Sequence, residues 1–313
     1  MTRRRTRLLR PSSLRLLPLV LLLAPSLIAA TPNGAPAREL ALALGGDVML
    51  GRDSQHGWRA HGGAQPFGAF AEALRRADLA FINLEMGVCA TARAPSNVPL
   101  LWAPPGRLDA LRDAGIDAVS VANNHALDCG PRGLDATLAE LAGRGIAAVG
   151  VAPSGTARLG PDVLLVGATF TPPPYRALGA RALVLQRPTR PEGPVGSVSE
   201  LVARVAALRR RQPDSLLLVS LHWGRERAPE PAAWQRRLGR QLVDAGANVI
   251  AGHGSHTRQL VERYRDAVIA YGLGNLVFDD STELGRPRPP LLVRFRRGPE
   301  GWRALGDGVL DAR

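Results

Sequence analysis

Short apolar runs that break off into polar residues limit what this chain can fold into. Residues 40–46, 79–84, 118–122, 146–149, 163–168, 216–221 and 248–251 are such runs. Each is too short for a buried helix and is bounded by turn-type residues, so each reads as a buried strand. Segments with helical spacing lie between them. Over 67–77 the residues Phe67, Phe70, Ala71 and Leu74 share one face, and 108–114 closes at Gly115. Pro131 opens a helix at its favoured first position, with Gly143 or Gly145 closing it. Residues 197–211 and 231–245 read as further helices, the second with Trp234, Leu238, Leu242 and Val243 inward and arginines outward. Two short strands, 259–263 and 267–271, and closing β structure over 291–310 complete the pattern. Helices alternating with strands predict an α/β fold.

The residues at the ends of these runs carry the chemistry. Gly46-Asp47, Asn83-Leu84-Glu85, Asn123-Asn124-His125 with Asp128, His222-Trp223-Gly224 with Glu226, the stretch from Gly252 to His256, and Gly274-Asn275 all lie just after or beside an apolar run. Of the 6 histidines, His125, His222, His253 and His256 fall in these clusters, whereas scattered core histidines would not track strand ends. Carboxylates, amide oxygens and imidazoles together suit divalent ions such as Mn²⁺, Zn²⁺ or Fe²⁺. Two ions about 3.5–4 Å apart would hold a phosphoryl oxygen and generate hydroxide, with Glu85 or Asp47 as the bridging carboxylate. Plainer roles compete. Asp47 can be a turn residue, Glu85 can pair with an arginine, and one of Asn123 and Asn124 is expected to form an Asx turn. Asp128 is expected to orient His125 rather than bind metal. His56 and His61 match no strand end and read as surface residues, and Trp223 and Trp234 as packing.

Other chemistries lack their signatures. There is no G-x-S-x-G elbow, and Ser255 is a poor substitute for one. No P-loop or G-x-G-x-x-G follows a strand. All 40 basic residues are arginine, but no basic stripe with interleaved aromatics suggests a nucleic-acid partner. Of the net charge of +13, +6 sits in the first 30 residues and +7 in the remainder, a modest bias toward anionic partners.

The first residues have a separate logic. Arg3, Arg4, Arg5, Arg7, Arg10 and Arg15 precede or enter an apolar stretch over 14–30, which Pro18 and Pro25 interrupt. Ile28-Ala29-Ala30 makes a small-residue cleavage site, so 1–30 reads as an export signal, with an uncleaved anchor as the alternative. Residues 31–38 form a Pro/Gly/Ala linker. No later linker divides the chain, so 39–313 is expected to be one domain. Residues 171–194, rich in Pro and Arg, read as a loop or lid. Export places Cys89 and Cys129 where disulfides persist. They follow Glu85 and Asp128, so if those acids converge the sulfurs can converge too, as a disulfide or as two buried thiols.

The segments GDVMLGR (46–52), NLE (83–85), ANNHALDCG (122–130), HWGRE (222–226), DAGANVIAGHGSH (244–256) and YGLGNLVFD (271–279) resemble the CapA family. These are poly-γ-glutamate capsule synthesis proteins, related to calcineurin-like metallophosphoesterases. The resemblance covers roughly residues 40–280. It implies a four-layer αββα sandwich with metal-site positions Asp47, Glu85, Asn124, His125, His222, His253 and His256. It implies capsule or polyglutamate production at the cell envelope, in the periplasm or outside the cell, with capsule-synthesis membrane proteins as partners. The expected activity is metal-dependent hydrolysis of a phosphoester or an anionic envelope polymer, using one or two divalent ions and His125 or His253 as proton donor, with Asp128 in support. The alternative is a non-catalytic assembly or tethering factor. Two departures stand out. The calcineurin-like Asp-x-His start has Met49 in place of its histidine, and a His-Pro-His motif of relatives is replaced by Gly254-Ser255-His256.

Overall fold

Strand β1 (Glu39–Val48) shows how the sequence builds the fold. Side chains alternate faces along a strand. Leu42 and Leu44 enter a core shared with a second sheet, while Ala43 joins a cluster on the opposite face. In this computed structural model the described residues are 38–51, 66–89, 101–151, 155–171, 198–278 and 287–311, with side chains as far as 306. The expected export signal, the linker up to residue 37, His56, His61 and all of the expected lid except Thr171 lie outside them. Residues 37–313 form one compact unit.

After β1 come α1 (Phe70–Arg76), β2 (Leu79–Leu84), β3 (Gly87–Val88), β4 (Trp102–Ala103), a 3₁₀ turn (Pro105–Leu108), α2 (Asp109–Asp113) and β5 (Ala118–Ser120). Then follow α3 (Gly130–Gly143), β6 (Ala147–Val149), β7 (Thr156–Leu159), β8 (Val163–Thr169), α4 (Val198–Arg211), β9 (Leu216–His222) and α5 (Ala233–Asp244). The chain continues through β10 (Val249–His253), β11 (Val261–Tyr264), β12 (Ala267–Ala270), β13 (Asn275–Val277), β14 (Leu291–Gly298) and β15 (Gly301–Asp311). No described helix is long and apolar enough to cross a membrane.

Among the described residues one sheet runs β15-β14-β1-β2-β5-β6, with β13 also paired to β1. The other runs β11-β12-β10-β9-β8-β7, and β3-β4 is a small pair. The strands β1, β2, β5 and β6 are mutually parallel, as are β8, β9, β10 and β12. Antiparallel strands complete the edges where the chain doubles back, β14–β15 and β11–β12 as hairpins. Three apolar clusters follow from this arrangement. One joins Leu42, Phe81, Leu165, Leu218 and Val268 between the sheets. A second puts Leu74, Leu111 and Leu134 of α1, α2 and α3 on the first sheet, and a third puts Leu201 and Leu238 of α4 and α5 on the second.

Most expected elements are present with ends moved by one to three residues. The strand expected over 118–122 stops at Ser120, and the one over 248–251 extends to include His253. Thr156–Leu159 was not expected, because TARL has neither an apolar run nor alternation. Trp234 does not point inward: it is 36% exposed. The reason is that α5 buries the face carrying Leu238 and Leu242 and leaves Trp234 at its margin.

Candidate metal centre

Side-chain parity aims the strand ends at one place. On β2, Leu79 and Phe81 face the second sheet, so Asn83 does too, and Glu85 lies just past the strand end. On β9, Leu216 and Leu218 carry His222 to the inter-sheet side. On β10, Val249 and Ala251 do the same for His253, which sits opposite His222 in the ladder.

Unbroken alternation on β1 would turn Asp47 away, since Leu42 and Leu44 face inward. A bulge corrects this. The register passes from Leu44↔Phe81 to Asp47↔Asn83, so β1 spends one residue more than β2. Gly45 and Gly46 make the bulge. A Cβ on Gly46 would lie 1.9 Å from the Gly274 carbonyl oxygen, so a side chain there would block the segment that crosses between the sheets. That segment binds both edges: Leu273 N–H donates to the Gly252 carbonyl at 2.9 Å, and Asp47 N–H to the Gly274 carbonyl at 2.8 Å.

The result is a buried polar cluster. Asp47, Glu85 and His222 offer ligand atoms that all lie within 4.8 Å of one another. His253 Nδ1 is 3.5 Å from Asp47 Oδ1, and His256 Nδ1 is 3.3 Å from Asp47 Oδ2. His256 Nε2 and His222 Nε2 are each 3.8 Å from Glu85 Oε1. Gly254 N–H donates to Asp47 Oδ2 at 3.2 Å. Gly254 has φ +87°, and a Cβ there would lie 2.7 Å from His222 Nε2, so this loop position needs glycine twice over.

Two amides that received no role from the sequence organise the cluster. Asn83 Nδ2 donates to Asp47 Oδ1 at 2.9 Å, and lies 3.4 Å from both Glu85 Oε2 and His222 Nδ1. Asn275 Oδ1 is 2.8 Å from His256 Nδ1 and holds that ring. The available signal for Asn83 was a lone amide in an apolar run, at the parity of Phe81.

The loop after β5 supplies the rest. Asn123 is the residue that forms the Asx turn: its Oδ1 accepts from His125 N–H at 3.0 Å. Its Nδ2 donates to Asn83 Oδ1 at 3.1 Å and to the Leu84 carbonyl at 2.8 Å. Asn124 Oδ1 is buried with no partner among the described residues. His125 Nδ1 is 2.8 Å from Asp128 Oδ2, which also accepts from Leu101 N–H at 2.7 Å. This pairing leaves His125 Nε2 for a ligand or a proton. His125 lies outside the tight trio, near enough for its charge to act on His222. Met49 is fully buried in the cluster on the helix-covered face, with its sulfur 3.1 Å from Gly51 N, so the Asp-x-His position contributes no imidazole. Cys89 and Cys129 form a disulfide.

Burial pushes Glu85 well above the usual carboxylate range, and the Asp47 charge adds to this. Burial also opposes ionisation of Asp47, but the imidazoles of His253 and His256 outweigh it and hold Asp47 well below its usual value. His222 is lowered to about 3 by burial, which leaves it neutral as a ligand must be. Burial would lower His256 as well, but Glu85 and Asp47 overcome it and raise it to about 10.

These residues fit a divalent cation. His253 Nε2, like Asn124 Oδ1, is buried without a hydrogen-bond partner among the described residues, and such atoms are costly unless something binds them. Two carboxylates this deeply buried and this close repel each other until a cation compensates them.

Known proteins are similar to this stretch. Residues 41–280 match the family described as bacterial capsule synthesis protein PGA_cap. The PGA biosynthesis protein CapA of Bacillus subtilis (strain 168) is 31% identical over 193 residues, covering 61% of this chain and 50% of that protein. The capsule biosynthesis protein CapA of Bacillus anthracis is 26% identical over 318 residues, covering 93% of this chain and 72% of that protein. A probable polyglutamine synthesis accessory protein of Mycobacterium tuberculosis (strain ATCC 25618 / H37Rv) is 29% identical over 218 residues, covering 64% and 56%. The match thus spans about half the length of the first relative. Every strand end that builds the centre, from Asp47 to Asn275, falls within the matched residues, and the chain belongs to the bacterial capsule synthesis protein family PGA_cap.

Proposed function

We propose that this chain is an exported capsule-synthesis protein that works as a metal-dependent hydrolase on a phosphoester or a bond of an anionic envelope polymer. The observation that carries the reading is the convergence of Asp47, Glu85 and His222 beside an oriented His125–Asp128 pair. The two relatives named CapA are described by PGA or capsule biosynthesis, which supports the capsule role. Two facing sheets with helices on their outer faces support a four-layer αββα sandwich of the metallophosphatase type. The Cys89–Cys129 disulfide and the arginine-rich start support export to an oxidising compartment.

In this reading Asp47, Glu85, His222, His253, His256 and Asn124 hold one or two ions of Mn²⁺, Zn²⁺ or Fe²⁺. When bound, such an ion supplies Lewis-acid polarisation of a phosphoryl or carbonyl oxygen and a nucleophile at neutral pH. Asn83 fixes the carboxylate of Asp47. Asp128 accepts from His125 Nδ1–H and so orients the ring; Nε2 then carries the lone pair, takes up a proton as a base, and as part of the imidazolium can return it to the leaving group. A second reading, a non-catalytic assembly or tethering factor, is favoured by Met49 standing where a ligand imidazole is expected.

Metal analysis of the purified protein and turnover of a generic phosphodiester decide between them. Glu85→Ala and His222→Ala are expected to lower bound metal and to cut turnover at least about a hundredfold with the fold intact. A protein that holds no metal and stays inert with added Mn²⁺ or Zn²⁺ removes the hydrolase reading.

A further inference from the structure

A second concavity lies past the end of the same strand β9, on the helix-covered face of the second sheet, and is built from one face of α5. Trp234, Arg237, Leu238 and Gln241, spaced i, i+3, i+4 and i+7, line a cavity of about 380 Å³ together with Phe170 and Gly224. Gly224 follows His222 by two residues, and Trp223 N–H donates to the His253 carbonyl at 3.0 Å, so the same strand edges carry both sites. The Trp234 ring packs against Phe170 at 5.5 Å and edge-on against Trp223 at 5.8 Å. Trp223 is itself tied by its Nε1–H to the Tyr271 carbonyl at 2.9 Å. Among the described residues the Arg237 guanidinium and the Gln241 carboxamide have no partner. Arg225 and Arg227, exposed on the turn that follows Gly224, also have no side-chain partner among those residues.

A fixed indole and a leucine suit methylene groups, and a free guanidinium beside a carboxamide suits a carboxylate. The unit that satisfies both carries a carboxylate next to a short run of methylenes and repeats along a chain, with Arg225 and Arg227 placed to meet the carboxylates of neighbouring units. We propose that this cavity is a subsite for one carboxylate-bearing unit of an anionic polymer whose neighbouring units reach the metal centre. The inference rests on the reading above that the chain handles an anionic envelope polymer, and it adds where and by what chemistry that polymer is held.

The probe is a fluorescein-labelled γ-linked glutamate decamer, titrated by anisotropy with the full chain, with chelator and with Mn²⁺. Trp234→Ala and Arg237→Ala are each expected to weaken binding about tenfold, while Trp234→Phe stays within about threefold. Arg303→Ala, which removes the same charge outside the cavity, is expected to change binding less than about twofold. Turnover of a small phosphodiester is expected to be unchanged in all four. Trp234→Ala and Arg237→Ala proteins that bind like the unmodified protein overturn the subsite, as does a polyphosphate of equal charge that binds as tightly with no dependence on Trp234. A chain that turns over the phosphodiester but does not bind the decamer overturns the subsite and leaves the hydrolase standing. A metal-free, inert chain whose decamer binding still depends on Trp234 and Arg237 supports the subsite and removes the hydrolase.

Discussion

Asn83 joins the halves of the candidate metal centre that belong to different sheets. Its amide donates to Asp47 and reaches Glu85 and His222, while its carbonyl accepts from Asn123. Asn83→Leu keeps the branched shape but leaves Asn123 and both carboxylates short of a partner. Metal affinity, read by chelator competition, is expected to fall roughly 10–100-fold. Protonation gives a second handle. His256 is raised to about 10, so its contribution to the metal-free fold is whole below its usual 6.5 and is lost as pH rises through that folded value. Glu85, raised by burial and by Asp47, has the same sign: its contribution is lost as pH climbs above its usual 4.5. His222, lowered to about 3 by burial, has the opposite sign: its contribution is whole above 6.5 and is lost as pH falls toward about 3. Between 4.5 and 6.5 the Glu85 and His222 effects oppose each other. Chelated protein is therefore expected to melt highest in that window and progressively lower toward pH 10, with Mn²⁺ recovering the alkaline loss. A chelated protein whose melting temperature rises from pH 7 to pH 9 would contradict this.

At the scale of elements, the disulfide is the device that keeps two site loops in register. Cys89 follows β3, which itself follows Glu85, and Cys129 caps α3 directly after Asp128. The bond spans 40 residues of sequence, and Val88 N–H donates to Thr137 Oγ1 of α3 at 3.0 Å alongside it. A loop of that length is worth about 2–4 kcal/mol when closed. Changing Cys89 and Cys129 together to Ser, or adding reductant, is expected to lower the melting temperature by roughly 4–16 °C for a domain of this size. An unchanged melting temperature in reductant would show that the bond adds nothing. Sequence could pair the cysteines only conditionally, on the convergence of Glu85 and Asp128, because a sequence separation of 40 leaves their distance open. Helix starts were more legible. Pro131 does stand in the first turn of α3, since a ring with fixed φ and no N–H favours that place in any tertiary setting.

For the whole molecule, what could be read in advance was what depends on local pattern. Short apolar runs alternating with amphipathic segments determine an α/β fold, and the polar residues closing those runs mark Asp47, Glu85, His222, His253 and His256 as one group. Local pattern reached its limit wherever a face had to be chosen. Trp234 has the spacing of a buried residue, but it borders a cavity, because what covers a helix margin depends on the neighbouring chain. Asp47 is the clearest case. Strand alternation by itself turns it toward the helices, and only the extra residue at Gly45-Gly46, paired against β2 and passed by the segment through Gly274, turns it to the inter-sheet side. The sequence by itself determined which strand ends carry donors, because a side chain's identity and its place in an apolar run are local. The tertiary structure alone decided that those donors meet, because a bulge, a strand register and the crossing of one segment between sheets exist only when distant parts of the chain are paired.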